Sequence, residues 1–120
     1  MPPTVEDRLR DILEAISDVQ SLMQGVGFEQ FTSDRYKRLL IERLLEIVCE
    51  ASRTVPDDIK REGPDIDWRK MIDFGNVLRH AYHSTEIELV WDIVQNRLPP
   101  LKSFAERRVR SAGGSPGEAT

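Results

Sequence analysis

The segment SDRYKRLLIERLLEIVCEASRT, from Ser33 to Thr54, decides the fold class of this chain. Its apolar residues recur at intervals of three and four, the spacing that places side chains on one face of an α-helix. Ser33 is the predicted N-cap, because its hydroxyl can accept a hydrogen bond from the first turn. The apolar face is wide and comprises Leu39, Leu40, Leu44, Leu45, Ile47, Val48 and Ala51. A helix this apolar is expected at the centre of a helical bundle, with one edge available as a dimer surface.

The sequence before this segment predicts another long helix. Thr4 and Asp7 have the spacing of a capping box, in which each side chain bonds the backbone N–H of the other residue. Apolar residues then recur at helical spacing until Gly25, and they are Val5, Leu9, Ile12, Leu13, Ile16, Val19 and Met23. Prolines, a glycine and charged residues from 55 to 67 predict a loop with one short helical turn at 57–61.

The second half of the chain predicts two further helices and a short C-terminal one. Asp67 can cap the segment WRKMIDFGNVLRHAY, and Ser84 or Thr85 can cap EIELVWDIVQN. The helix RLPPLKSFAERR restarts after Leu98, because proline is tolerated in a first turn. The sequence therefore predicts an all-α, up-and-down bundle of about four main helices plus a short C-terminal helix.

Length and composition restrict what the protein can be. The 120 residues predict a single domain, residues 1–108, followed by a small, polar and disordered tail, residues 109–120. A formal net charge of −4 argues against a protein that coats DNA without sequence preference. The single cysteine, Cys49, is interpreted as a small buried residue and permits no intramolecular disulfide. With no signal peptide and no apolar run that could span a membrane, we expect a cytoplasmic protein.

The segment FGNVLRHAYH, residues 74–83, contains both histidines of the chain. On a helix, Asn76 and His80 lie one turn apart on the polar face, and Arg79 lies at its boundary. One interpretation is an ordinary solvated helix face. Another is a metal site, for which His80, His83 and Asp73 would be ligands.

A third interpretation of the same segment is phosphate chemistry. His80 can transfer protons near neutral pH, while Arg79 and Asn76 can hold a phosphodiester. The residue types alone leave these three interpretations open. Gly75 costs about 1 kcal/mol relative to alanine inside a helix, which predicts that another backbone approaches closely at this position.

Several short motifs occur in an order that resembles a known family. They are PDIDW at 64–68, HAY at 80–82, VW at 90–91 and LP at 98–99. In this order and at these spacings, over about residues 5–104, the chain resembles the HepT-like family of the HEPN (higher eukaryotes and prokaryotes nucleotide-binding) superfamily. That resemblance implies a small helical bundle that acts as a metal-independent endoribonuclease and needs no cofactor.

The resemblance also implies partners. Members of the family resemble toxins of toxin–antitoxin pairs, and they are homodimers whose signature histidines face a shared cleft. The antitoxin is a nucleotidyltransferase that can adenylylate the tyrosine of the signature. The signature of the family is an arginine, a polar residue, three further residues, a histidine, any residue and a tyrosine. Carried over to this sequence, the signature histidine is His80, the tyrosine is Tyr82 and the polar residue is Asn76.

The chain departs from the signature at its arginine, where Gly75 stands. Arg79 is the candidate to supply the missing guanidinium to an RNA substrate. Further basic residues that RNA could meet are Arg69, Lys70, Arg35 and Arg97. The alternative function is a catalytically silent HEPN-type binding module that still pairs with a nucleotidyltransferase.

Overall fold

The computed structural model describes residues 3–80 and 87–113, and these residues form helices and turns with no β-strand among them. The helices are α1 (Val5–Met23), α2 (Phe28–Ser33), α3 (Arg35–Thr54), α4 (Asp57–Lys60), α5 (Trp68–Arg79), α6 (Ile87–Asp92) and α7 (Leu98–Gly113). A π-helical turn, Ile93–Arg97, joins α6 to α7. The all-α bundle predicted from the sequence is confirmed.

Helix α1 begins and ends as its sequence predicts. The backbone N–H of Thr4 donates to Asp7 Oδ2 at 2.9 Å, and the N–H of Asp7 donates to Thr4 Oγ1 at 3.0 Å. Gly25 follows the helix with φ +74°, a conformation that side chains other than glycine rarely adopt. The face toward the core has no solvent exposure at Leu9, Ile12, Ile16 and Val19.

The predicted start of α3 is wrong by one residue. Ser33 is the last residue of the short helix α2, which the sequence did not predict. Asp34 is the N-cap of α3, and its Oδ1 accepts the N–H of Lys37 at 3.0 Å. Ser and Asp are comparable caps, and a six-residue helix shows too little apolar periodicity to be recognised from sequence.

Tertiary contacts stabilise α2. The buried guanidinium of Arg38 donates to the carbonyl oxygens of Phe31, at 3.3 Å, and Thr32, at the last turn of α2. The ring centroid of Trp91 lies 5.3 Å from that of Phe28 and 5.6 Å from that of Phe31. A cation at the carbonyl end and an aromatic cluster on the apolar side therefore hold a helix that is too short to be stable alone.

The predicted core face of α3 is wrong in part. Its buried side is formed by Ile41, Leu45, Val48, Cys49, Ala51 and Ser52. Leu39, Leu40 and Ile47 are instead 45%, 49% and 36% exposed. The run of adjacent apolar residues fits two neighbouring faces of one helix, so periodicity alone could not select the buried one. Helix α3 packs against α1 on one side and α5 on the other.

Helix α5 begins as predicted but is shorter. Asp67 caps it, with Oδ1 accepting the N–H of Lys70 at 3.0 Å. The last helical residue is Arg79, and His80 (φ −110°, ψ 13°) leaves the helix. The sequence predicts a helix that continues to Tyr82, which lies outside the described residues, as do the predicted caps Ser84 and Thr85. The buried side of α5 is Met71, Phe74, Gly75 and Leu78.

Helices α6 and α7 form one continuous helical run rather than two helices with a break. In the π-helical turn, the N–H of Leu98 donates to the carbonyl of Ile93, five residues earlier. Pro99 and Pro100 follow and have no N–H to donate, which disrupts the α-helical bonding to the carbonyls of the preceding turn. The predicted restart after Leu98 is therefore a change of helical register.

Helix α7 extends past residue 108, the predicted C-terminal boundary of the domain. Helix α7 continues to Gly113. Residues 114–120, which belong to the predicted disordered tail, lie outside the described residues. Within the described part of the chain, no helix is both long and apolar enough to cross a membrane.

Candidate functional site

Gly75 lies where α5 packs closely against α3. A Cβ atom added at this position would lie 3.0 Å from the Cβ of Cys49. Both Cβ positions are fixed by helical backbones, so neither can rotate away. A neighbouring helix does approach closely at Gly75, but the atom in the way is the Cβ of Cys49 rather than the backbone that the sequence predicts.

Cys49 is the residue that Gly75 contacts across this interface. It is buried, as its apolar sequence context predicts. Burial raises the pKa of its thiol to about 12, so the reactive thiolate is scarcely populated at neutral pH. Cys49 therefore contributes packing rather than nucleophilic chemistry.

The side chain of Arg79 runs back along α5 toward Gly75. Its Nη1 lies 3.7 Å from the position of a Cβ on residue 75, and its Nη2 donates to Asn76 Oδ1 at 2.5 Å. Helical side chains point toward the N-terminus of their helix, which brings residues four apart together. The guanidinium of Arg79 therefore lies over the position where the family signature has an arginine.

His80 follows Arg79 directly, at the exposed C-terminal end of α5. Its backbone N–H donates to the carbonyl of Val77 at 3.2 Å, and its backbone no longer follows the helix. His80 is thus the C-cap of α5, four residues after Asn76. Tyr82 and His83 lie outside the described residues.

Arg79 also lines a cavity of about 250 Å³ that opens to solvent. The cavity contains one arginine from each of three helices: Arg8 of α1, Arg43 of α3 and Arg79 of α5. Its other lining residues are Asp11, Glu46, Ile47, Glu50 and Ala51. The packing of α1, α3 and α5 thus brings together three cations that are far apart in the sequence.

Two carboxylates of this cavity have arginine partners of their own. Glu46 Oε1 lies 3.3 Å from Arg43 Nη1. Glu50 accepts two hydrogen bonds from Arg53, which lower its pKa, and the nearby positive charges of Arg79 and Arg8 act in the same direction. Neither carboxylate is therefore a free negative charge facing the cavity.

The remaining charges of the cavity are Arg8, Arg79 and Asp11. Among the described residues, no carboxylate oxygen lies within 4 Å of the guanidinium nitrogens of Arg8 or Arg79. The partner of Arg79 is the neutral amide of Asn76. The lining holds three arginines and three carboxylates; counting Arg53, which pairs with Glu50 from outside the lining, the local formal charge is +1 on a chain of net charge −4.

The other cations predicted to face RNA do not line this cavity. Arg69 lies 3.6 Å from Asp73, and Arg97 lies 3.7 Å from Asp92. Sequence reasoning instead missed Arg8 and Arg43. No motif marks them, because only the packing of three helices brings them beside Arg79.

The metal interpretation concerns His80, His83 and Asp73. No three side chains of His, Cys, Asp or Glu come together as potential metal ligands in residues 3–80 and 87–113. His83 lies outside these ranges. Of the residues predicted to form a site, the described part of the chain brings together Arg79 and Asn76, with His80 next to Arg79 in the sequence.

Comparison with known proteins identifies the family. The model of the family described as "Ribonuclease HepT-like" matches residues 12–108. The chain belongs to the HepT-like ribonuclease family. This assignment confirms the resemblance carried by the PDIDW, HAY, VW and LP motifs. No solved structure was found to match this HepT-like chain.

Curated relatives of this HepT-like protein carry ribonuclease names. "Probable ribonuclease HepT" of Thermococcus cleftensis is 36% identical over 85% of this chain and 93% of its own length. "Putative RNase MJ1380" of Methanocaldococcus jannaschii is 33% identical over 82% of this chain and 90% of its own length. The family assignment and these relatives support a ribonuclease-type function.

Proposed function

We propose that this HepT-like protein is a metal-independent endoribonuclease in which Arg79 replaces the missing signature arginine. The observation that supports this most directly is the path of Arg79, whose guanidinium lies over Gly75 and bonds Asn76. An arginine four residues later in the helix thereby offers its donors at the site of the absent side chain. In this proposal the positive charge that the signature places at position 75 is supplied by Arg79 instead.

The proposed reaction uses the RNA's own 2′-hydroxyl. Its oxygen attacks the adjacent phosphorus, a new O–P bond forms and the bond to the 5′-oxygen breaks. The products are a 2′,3′-cyclic phosphate and a 5′-hydroxyl. A base accepts the 2′-hydroxyl proton, an acid protonates the leaving oxygen, and His80 supplies one of these roles. Arg79 stabilises the charge that develops on the phosphoryl oxygens.

His80 is the one histidine of the chain with a role in the proposal and fits one of the two proton transfers, so the proposal includes a homodimer whose two His80 residues share a cleft. Support comes from an apolar stripe on the outer side of α3, formed by Tyr36, Leu40, Leu44 and Ile47. Tyr36 is 80% exposed, Leu40 49% and Ile47 36%. Ile47 also lines the cavity that contains Arg79. A second copy packed on this stripe would therefore lie beside the proposed site.

Cleavage assays test the catalytic proposal. Purified protein is incubated with bulk RNA and tRNA, with and without EDTA, and product ends are identified by mass spectrometry. We expect cyclic phosphate ends, unchanged by EDTA, that disappear in His80→Ala and are strongly reduced in Arg79→Gln. His83→Ala, which has no role in the proposal, is the matched control. Full cleavage by His80→Ala would refute it.

The dimer is tested on the same stripe. Leu40→Glu places a charge within the exposed apolar surface without changing a buried residue. We expect it to convert the dimer to a monomer in light scattering and to abolish cleavage. Leu39→Glu, adjacent but outside the stripe, is the comparison. A monomeric wild-type protein that cleaves RNA would refute the shared cleft.

We further propose that the protein is the toxin of a toxin–antitoxin pair whose partner is a nucleotidyltransferase that adenylylates Tyr82. Support comes from the family resemblance and from the end of α5 at Arg79, three residues before Tyr82 in the sequence. Co-expression with a neighbouring nucleotidyltransferase gene should add one adenylyl group, lost in Tyr82→Phe. If the co-expressed protein remained unmodified and still arrested growth, the antitoxin role of the nucleotidyltransferase would be refuted.

The second candidate is a catalytically silent binding module with the same partner. The observation that favours it is Gly75 at the signature arginine position. Gly75→Arg is an unsuitable test, because any Cβ at this position meets Cys49. The decisive comparison is wild type against Arg79→Gln. Equal inactivity together with partner binding identifies the silent module.

A further inference from the structure

We propose that the cavity lined by Arg8, Arg43 and Arg79 binds the sugar–phosphate backbone of RNA next to the scissile phosphate. The inference rests on the proposed ribonuclease function and adds Arg8 and Arg43 to it as substrate-binding residues. Neither residue belongs to the family signature segment, which lies wholly on α5 and the residues after it.

The donors and size of the cavity suit a phosphodiester. Guanidinium groups present paired donors that match phosphate oxygens, and here three helices contribute one such group each. The volume of about 250 Å³ lies below the range of about 300–1,000 Å³ for pockets that enclose a small molecule. A phosphate with part of its ribose fits this space, while the rest of the strand stays in solvent.

The charges of the cavity favour the same ligand. Arg43 is paired with Glu46, whereas Arg8 and Arg79 have no carboxylate within 4 Å among the described residues. Glu50 is occupied by Arg53. Asp11 is the one lining carboxylate without such a partner in the described chain, and it opposes anion binding. Removing its charge should therefore strengthen RNA binding.

An acidic neighbour limits where the RNA can continue. A second cavity of about 240 Å³ lies farther along α1 and α3, and its charged residues are Asp11, Glu14 and Asp18. Phosphates are repelled from this wall, to which the described residues contribute no cation. The strand is therefore expected to leave the arginine cavity away from Asp11, Glu14 and Asp18.

The test uses His80→Ala protein, so that binding is measured without cleavage. A fluorescent single-stranded RNA is titrated at several salt concentrations. We expect Arg8→Gln and Arg43→Gln each to weaken binding about tenfold. Each should reduce the slope of log affinity against log salt by about 0.7, the value for one single-strand phosphate contact. Asp11→Asn should tighten binding several-fold.

Matched controls separate this cavity from general charge. Arg10 is exposed on α1, about 200° around the helix from Arg8, so Arg10→Gln changes net charge equally outside the cavity. Asp58→Asn, on α4, is the control for Asp11→Asn. Equal effects of Arg8→Gln and Arg10→Gln would overturn the inference. If the arginine variants changed the oligomeric state of the protein but left its RNA affinity unchanged, the arginines would belong to the subunit contact. That result would also overturn the inference.

Cleavage by the protein with His80 intact distinguishes failure of this inference from failure of the proposed function. If wild type cleaves and Arg8→Gln cleaves with an unchanged KM, only the cavity assignment is wrong. If wild type does not cleave but the arginines still control RNA affinity, the cavity assignment holds and the catalytic proposal is wrong. An absence of RNA binding overturns both.

Discussion

Replacing Gly75 with alanine is expected to destabilise the protein, although alanine is the better helix former. Helix propensity alone would stabilise it by about 1 kcal/mol. The added Cβ, however, would lie 3.0 Å from the Cβ of Cys49, and both are fixed to helical backbones. Overpacking of this kind costs about 1–3 kcal/mol, because α3 and α5 must separate. The expected net loss is about 1 kcal/mol.

Thermal and urea unfolding measure this effect. For a domain of this size, a loss of about 1 kcal/mol lowers Tm by about 4 °C. The path of Arg79 should be preserved, because its Nη1 lies at an ordinary contact distance of 3.7 Å from the new Cβ. Gly75→Ala should therefore lose stability while its cleavage products, measured below the unfolding transition, are unchanged.

A double-mutant cycle with Cys49→Gly isolates the contact. Without the Cβ of residue 49, alanine at position 75 meets no obstacle and should stabilise the protein by about 1 kcal/mol. The interaction energy between the two sites is then about 2 kcal/mol. Additive effects, within about 0.5 kcal/mol, would refute the explanation of Gly75 as a close-packing residue.

Three further predictions concern stability and reactivity. Arg38→Met should lose about 2 kcal/mol in urea unfolding, because two carbonyls of α2 lose a charged donor; wild-type stability would contradict this role. Asp7 has a lowered pKa because of its hydrogen bonds with Thr4, so its contribution is present above the ordinary aspartate pKa and is lost as pH falls. The Tm of Asp7→Asn should therefore be lower at pH 7 and converge with wild type in acid, and a constant difference would contradict this. Cys49, with its thiol pKa raised to about 12, should react with iodoacetamide at pH 8 only after unfolding; rapid labelling of the native protein would contradict its burial.

The parts of the fold that could be predicted are those decided by near neighbours in the chain. The caps at Thr4 and Asp67 depend on residues three positions away, so local spacing suffices to identify them. Helix α2 could not be predicted, because its stability depends on Arg38 and on the ring of Trp91. Local propensity contains no information about contacts of this kind.

The candidate site divides in the same way. Asn76, Arg79 and His80 lie within five positions of one another and could be recognised from one segment. Arg8 and Arg43 could not, because their relation to Arg79 exists only after three helices pack. The direction of the Arg79 side chain, back toward Gly75, also could not be predicted, because residue spacing on a helix does not specify the side-chain conformation.

The π-helical turn Ile93–Arg97 sets the rotational phase of the last helix. Each residue turns an α-helix by about 100°, so deleting one residue here would rotate all of α7 by that angle relative to α6. Leu101 and Phe104, now buried against the core, would turn toward solvent while Trp91 stayed on α2. The number of residues in this turn therefore determines which face of α7 packs against the core. A single deletion should disturb the bundle more than most substitutions in α7.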